Sequence, residues 1–223
     1  MAISGTDNPV DLIEHIRSLV YCMRGSLSFG KIKILSPIKP INLDQRIEYI
    51  KIPVLTYVQY NNFQMGEINT YIDTEYLLLV EGDGFITHPE LWDNRFLDYD
   101  YIGAPWPDKS HYSHVRVGNG GFSLRSKKFM HLCSLCQVCN FNWDHLVCVT
   151  YRDFLLENGI KYAPLELAAK FSFESDLQDY QNSFNDSFGM HGKNANFHII
   201  TQSLLWKQVS AQNLDFTAVR AKK

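Results

Sequence analysis

Apolar positions change their spacing several times along the chain, and each change marks an element. Val10, Ile13, Ile16, Leu19 and Val20 recur three to four residues apart, which predicts an amphipathic helix. Asn8 and Pro9 stand at its start, an N-cap followed by a residue preset for the first helical position. Gly25 marks its end. Ahead of it, Met1-Ala2-Ile3 reads as the stub of a strand, either unusually short or continued by preceding residues. Lys31 to Leu35 alternates charged and apolar side chains, a half-buried strand that stops at Ser36-Pro37. Ile47 to Val54 reads as a third strand, broken at Pro53, and Phe63, Ile68 and Tyr71 as a helix leading into the next run. That run, Tyr76 to Val80, is apolar or aromatic throughout and ends at Glu81-Gly82-Asp83-Gly84. A short continuous run bounded by turn formers predicts a strand buried on both faces.

Beyond the acids the spacing becomes irregular. Pro89 starts a short helix carrying Leu91, Trp92 and Phe96; Tyr99 to Ile102 is a short strand, and Gly103 to Trp106 a stiff turn. Asp108 to His114 is a polar loop ahead of Val117 to Arg125, where Ser126 caps a helix reaching about Leu135. Trp143-Asp144-His145 opens a helix that ends at Asn158-Gly159. Ile160 to Ala163 is a strand, Pro164 to Lys170 a helix, and Phe171 to Glu174 extended. Ser187 to Gly192 is a turn, Ala195 to Val209 a last helix, and Arg220 to Lys223 a frayed basic tail. Strands alternating with helices predict an α/β fold, with a mostly parallel central sheet flanked by helices.

Composition narrows the function classes. The 223 residues suit one domain, with 45% hydrophobic and 20% charged residues, as globular chains have. A net charge of -3 argues against a general nucleic-acid binder, which needs a basic surface. No apolar stretch reaches the ~20 residues that cross a bilayer, and no signal peptide is evident. A cytoplasmic protein, peripheral to a membrane at most, is expected. The five cysteines read as free thiols. Cys133, Cys136 and Cys139 lie near His131 and His145, but fall along one helix side without a second Cys pair. They read as small buried residues rather than a zinc site.

Three phosphate-binding or nucleophile loops are missing: G-x-G-x-x-G after the first strand, G-x-x-x-x-G-K-[ST], and G-x-S-x-G. The acids at 81 and 83 stand out instead. In open α/β sheets ligands bind beyond the carboxyl ends of the strands, and hard oxygen ligands there suit a divalent cation holding phosphates. The glycines of Gly118-Asn119-Gly120-Gly121 point to something packed directly on the main chain. The alternative is a glycine-rich hairpin with positive φ.

Four segments, E-G-D-G-F at 81–85, L-D-Y-D-Y-I-G-A-P-W at 97–106, V-G-N-G-G-F-S-L-R-S at 117–126 and F-G-M-H-G at 188–192, together resemble a domain-of-unknown-function family of glycosyltransferase-like proteins with a GT-A fold. The likeness spans nearly the whole chain as one domain, a donor half to about residue 100 and a sugar and acceptor half from 101 to about 210. It implies sugar transfer from a nucleotide-diphosphate donor to a hydroxyl on a glycan or lipid-linked glycan. The implied metal is manganese or magnesium, held by Asp83, by Glu81 in the place of a first Asp, and by His191 from the C-terminal turn. Thr6, Asp7, Asp83 and Gly84 are expected at the nucleotide. Trp106, Asn119, Gly120, Gly121, Phe122 and Arg125 are expected at the sugar or acceptor. Asp144, at a helix start, is the candidate general base, with a dipole-stabilised cap as the alternative. A rival reading is a carbohydrate- or nucleotide-binding protein of the same fold without turnover. A metal-dependent nucleotidyltransferase or phosphohydrolase has less support, since more acids are expected around its metal.

Overall fold

Every second residue of the Tyr76–Val80 strand faces a different core. Leu77 and Leu79 pack with Phe63, Ile68 and Phe129, while Val80 packs with Phe122, Phe171 and Phe188. That two-sided burial follows from the strand's place in the middle of the sheet. In a computed structural model, which describes residues 1–107, 115–137, 140–203 and 206–208, the elements run as follows. β1 (Ala2–Ile3), α1 (Pro9–Cys22), β2 (Ile32–Ser36) and β3 (Ile47–Lys51) precede α2 (Tyr57–Met65) and β4 (Tyr76–Val80). After the acids come β5 (Phe85–Ile86), β6 (Tyr101–Gly103), β7 (Phe122–Ser126) and α3 (Lys127–Cys133). α4 (Trp143–His145), α5 (Arg152–Glu157), α6 (Leu165–Phe171), β8 (Ser172–Phe173), β9 (Gly189–Met190) and α7 (Ala195–Gln202) complete the order.

α1 begins where the sequence places it: the Asn8 side chain accepts the Val10 N–H at 3.0 Å, with Pro9 at the first position. Its apolar stripe of Leu12, Ile16 and Leu19 packs on Ala2, Ile34 and Ile47. β3 stops at Lys51 rather than running to Val54, because Pro53 has no N–H for the ladder. The segment around Pro89 forms two 3₁₀ turns, Pro89–Leu91 and Asn94–Asp98, instead of one helix. The helix expected from Trp143 is interrupted by a π-helical turn, Leu146–Thr150, closed by Tyr151 N–H on Leu146 O at 2.8 Å. The loop at 108–114, Cys139, Val209 and the tail at 220–223 lie outside the described residues.

β1, β2 and β3 form a parallel sheet, whereas β7 runs antiparallel between β4 and β6. The two sheets meet at Met1, whose amine donates to Leu78 O at 2.8 Å and whose carbonyl accepts Val80 N–H at 2.9 Å. Those two bonds are the exchange made by neighbouring parallel strands, so the strands lie in the order β3-β2-β1-β4-β7-β6. The mostly parallel sheet expected from the sequence therefore holds only for the first half of the chain. Among the described residues no crossover helix separates β6 from β7, and the two pair antiparallel. A third small sheet, β5-β9-β8, brings the Gly189–Met190 strand beside Phe85–Ile86. Among the described residues no helix is long and apolar enough to cross a membrane.

Candidate functional site

From β1 the chain moves outward to β2 and β3, then returns to lay β4 on the other side of β1. In open α/β sheets ligands bind where strand order reverses in this way, beyond the carboxyl ends of the two strands. β1 delivers Thr6 and Asp7 there, and β4 delivers Glu81 and Asp83. β9 pairs with β5, which follows the acids directly, and so swings His191 over them.

Ligand atoms from Glu81, Asp83 and His191 all lie within 4.8 Å of one another. His191 Nε2 is 3.3 Å from Asp83 Oδ1 and 3.7 Å from Glu81 Oε2. The second is too long for a hydrogen bond and the first lacks its alignment, so this buried nitrogen has no hydrogen-bond partner. On the other side of the ring Nδ1 faces Glu174 Oε1 at 3.4 Å. A carboxylate on one imidazole nitrogen leaves the other available as a ligand, the arrangement usual for metal-bound histidine. Two carboxylates and one imidazole nitrogen are a donor set that could hold a divalent cation. Glu81 offers the group one oxygen, since its Oε1 accepts the Tyr60 hydroxyl at 2.9 Å.

Burial raises the proton affinity of both acids, yet both titrate below their usual range because attraction to His191 outweighs it; Lys193 adds to the effect at Asp83. Burial would lower His191, but Asp83, Glu174 and Glu81 together hold it well above an ordinary imidazole. Lys193 itself extends from the loop after His191, with Nζ 3.5 Å from Glu14 Oε2. Asp144 is half-buried, and its Oδ1 accepts the His145 N–H at 2.8 Å. Burial pushes its pKa up to about 6, helped by the negative charge of Glu81. The His145 and Gly120 N–H groups and the Arg125 charge hold the rise back.

Five of the six residues expected at the sugar or acceptor are buried, and the sixth, Trp106, is half-buried. None of the glycines at 118, 120 and 121 has positive φ, so the hairpin alternative does not explain them. The objects packed on them are the protein's own rings. A Cβ on Gly120 would sit 1.9 Å from Trp143 Cζ2, and one on Gly121 would sit 2.0 Å from His191 Nε2. Trp106 lies against Gly118 in the same way, at 2.4 Å from such a Cβ. Asn119 is buried, and its amide is committed. Nδ2 donates to Glu174 Oε1 at 2.7 Å, and Oδ1 accepts the Gly121 N–H at 3.2 Å. Phe122 and Arg125 are 0% and 1% exposed, which places them behind the site and out of reach of a ligand. Gly84 is likewise buried, its N–H donating to Glu81 O and its carbonyl accepting the Ser18 hydroxyl. It closes the acid turn. Thr6 and Asp7 are exposed at the rim, with Thr6 Oγ1 donating to Asp11 Oδ2 at 3.2 Å.

Sequence reasoning missed Tyr60, Glu174 and Lys193. A signal existed for the first: Thr56 and Gln59 form a capping box that starts α2. Counting from it puts Tyr60 and Gln64 on one helical face. Glu174 has no such signal, because only the third sheet brings it to His191. Residues 46–191, which include the acids, Asp144, Glu174 and His191, match a family described as a protein of unknown function, DUF5672. No curated protein matches the chain.

Proposed function

The chain belongs to the DUF5672 family, and from its site we propose that it is a divalent-metal-dependent glycosyltransferase of GT-A-like fold. It moves a sugar from a nucleotide-diphosphate donor to a hydroxyl of a glycan or lipid-linked glycan. One observation carries the reading: Glu81, Asp83 and His191 converge at a strand-order reversal, around an imidazole nitrogen that is buried and lacks a hydrogen bond. The strand order β3-β2-β1-β4-β7-β6, with acids after β4, supports the fold assignment.

Asp83, Glu81 and His191 would hold the metal, which as a Lewis acid would neutralise charge on the departing diphosphate. Lys193 stands where its ammonium can meet the same phosphates. Thr6 and Asp7, exposed on the rim at the end of β1, would contact the ribose or base. Asp144 takes the proton of the acceptor hydroxyl as that oxygen bonds to the anomeric carbon, and the nucleoside diphosphate leaves with the electrons of the broken bond. With a pKa near 6 it is ionised at neutral pH and still basic enough to accept a proton.

The test is release of nucleoside diphosphate from a panel of nucleotide sugars with manganese, comparing the wild type with Asp83→Ala. Turnover in the wild type is expected to fall at least ~100-fold in the variant. An equally active variant removes the metal assignment. Calorimetric binding of a nucleotide sugar without turnover points to a binding protein of this fold instead.

A further inference from the structure

Among the described residues Arg125 is the largest fully buried side chain, yet no carboxylate pairs with it. A buried cation without an anion is costly, so its remaining contacts have to account for it. Nε donates to Ser123 Oγ at 3.1 Å, and the fork beyond divides. Nη1 donates to Gln64 Oε1 at 3.0 Å, Gln64 Nε2 to the Tyr60 hydroxyl at 2.8 Å, and that hydroxyl to Glu81 Oε1 at 2.9 Å. Every donor in this row points from the guanidinium towards the carboxylate. Bonds aligned head to tail strengthen one another, and a charge at each end strengthens them further. In the other direction Nη2 lies 3.4 Å from Gly120 O, and the guanidinium carbon stacks 3.8 Å from the centre of the Trp143 ring. Gly120 and Trp143 are the two residues that frame Asp144.

We propose that Arg125 is the positioning residue of the site: through Gln64 and Tyr60 it fixes the Glu81 carboxylate for the metal, and through Gly120 and Trp143 it fixes the segment that carries Asp144. This rests on the transferase reading for the roles of Glu81 and Asp144. The two halves of the site come from distant parts of the chain, Glu81 after β4 and Asp144 at α4. Arg125, on β7, is the side chain whose contacts run towards both. Its charge also reaches Asp144 and restrains the rise in that acid's pKa.

The experiment measures the manganese dissociation constant by calorimetry for the wild type, Tyr60→Phe, Gln64→Met, the double variant and Arg125→Lys. Tyr49→Phe serves as control, since its hydroxyl bonds Ser36 O far from the acids. Loss of an outer partner of a ligand weakens metal binding about 10–100-fold, and that is expected for Tyr60→Phe and Gln64→Met. Because both cut one row, the double variant binds no more weakly than the weaker single variant. Tyr49→Phe binds as the wild type does. Raising manganese to saturation restores turnover in Tyr60→Phe more than in Arg125→Lys, which has also lost the branch to Gly120 and Trp143. Unchanged affinity in Tyr60→Phe and Gln64→Met, or additive losses in the double variant, overturns the first branch. Recovery of Arg125→Lys equal to that of Tyr60→Phe at saturating manganese overturns the second. A wild type that binds no manganese overturns the metal reading and this proposal together, a result distinct from binding that the variants leave untouched.

Discussion

Glu174 and His191 face each other at 3.4 Å, on the side of the imidazole away from Asp83 and Glu81. The same carboxylate oxygen holds the Asn119 amide at 2.7 Å, so one residue orients the ring and anchors the glycine loop beneath it. Glu174→Ala is expected to weaken manganese binding about 10–100-fold. It also leaves the buried Asn119 amide without its acceptor, at a cost of about 1–3 kcal/mol. Calorimetry with manganese and a denaturant titration of the metal-free protein check the two effects separately.

Gly121→Ala and Gly120→Ala are expected to fail for different reasons. A methyl at 121 takes the space of His191 Nε2, so the ring must turn away; manganese binding is lost while circular dichroism stays that of a folded protein. A methyl at 120 meets the indole of Trp143, which is 5% exposed and stacked on Arg125. Overpacking of this kind costs about 1–3 kcal/mol, read as a lower melting temperature.

Turnover at saturating manganese is expected to rise with pH through an acid limb near 6, the value to which burial brings Asp144. Asp144→Asn removes that limb and lowers kcat by about 100- to 10,000-fold. A limb unmoved by the substitution assigns the proton to another group.

The same group shapes stability. Its folded pKa of about 6 lies above the ordinary 3.8. The preference for neutral Asp144 therefore stabilises fully below about pH 4, and is lost as pH rises through 6. At pH 7.5 the ionised acid is a liability. Asp144→Asn, which keeps an oxygen for the His145 N–H, is expected to be more stable than the wild type there by about 1–3 kcal/mol. Melting curves should show the gain full at pH 7.5, about half as large at pH 5 and absent below about pH 4.

What the sequence disclosed and what it hid divide along physical lines. The Asn8-Pro9 start and the buried strand at Tyr76–Val80 were legible because capping and two-sided burial leave local patterns. Glu81, Asp83 and His191 were legible by residue type and by the turns that carry them. The glycine loop was misread because the sequence says only that something lies close to the backbone; the neighbours, Trp143 and His191, arrive from 20 to 70 positions away. Arg125 was misread for a related reason. An arginine beside a polar loop suggests solvent, and only the pairing of β7 between β4 and β6 turns it inward. The π-helical turn after His145 has no signature in spacing, since it inserts one residue into an otherwise helical run.

The close fit of rings on glycines has a consequence for how this loop can drift. At 120 and 143 the constraint is volume, so an alanine becomes admissible once the tryptophan has given way to a smaller residue, and the two positions can change in company. At 121 and 191 the constraint is chemical. Any side chain at 121 displaces the imidazole, and no smaller residue at 191 supplies the nitrogen. The first pair is a coupled variable; the second is a fixed point, and a chain of this fold that has lost one of its two members has lost the site.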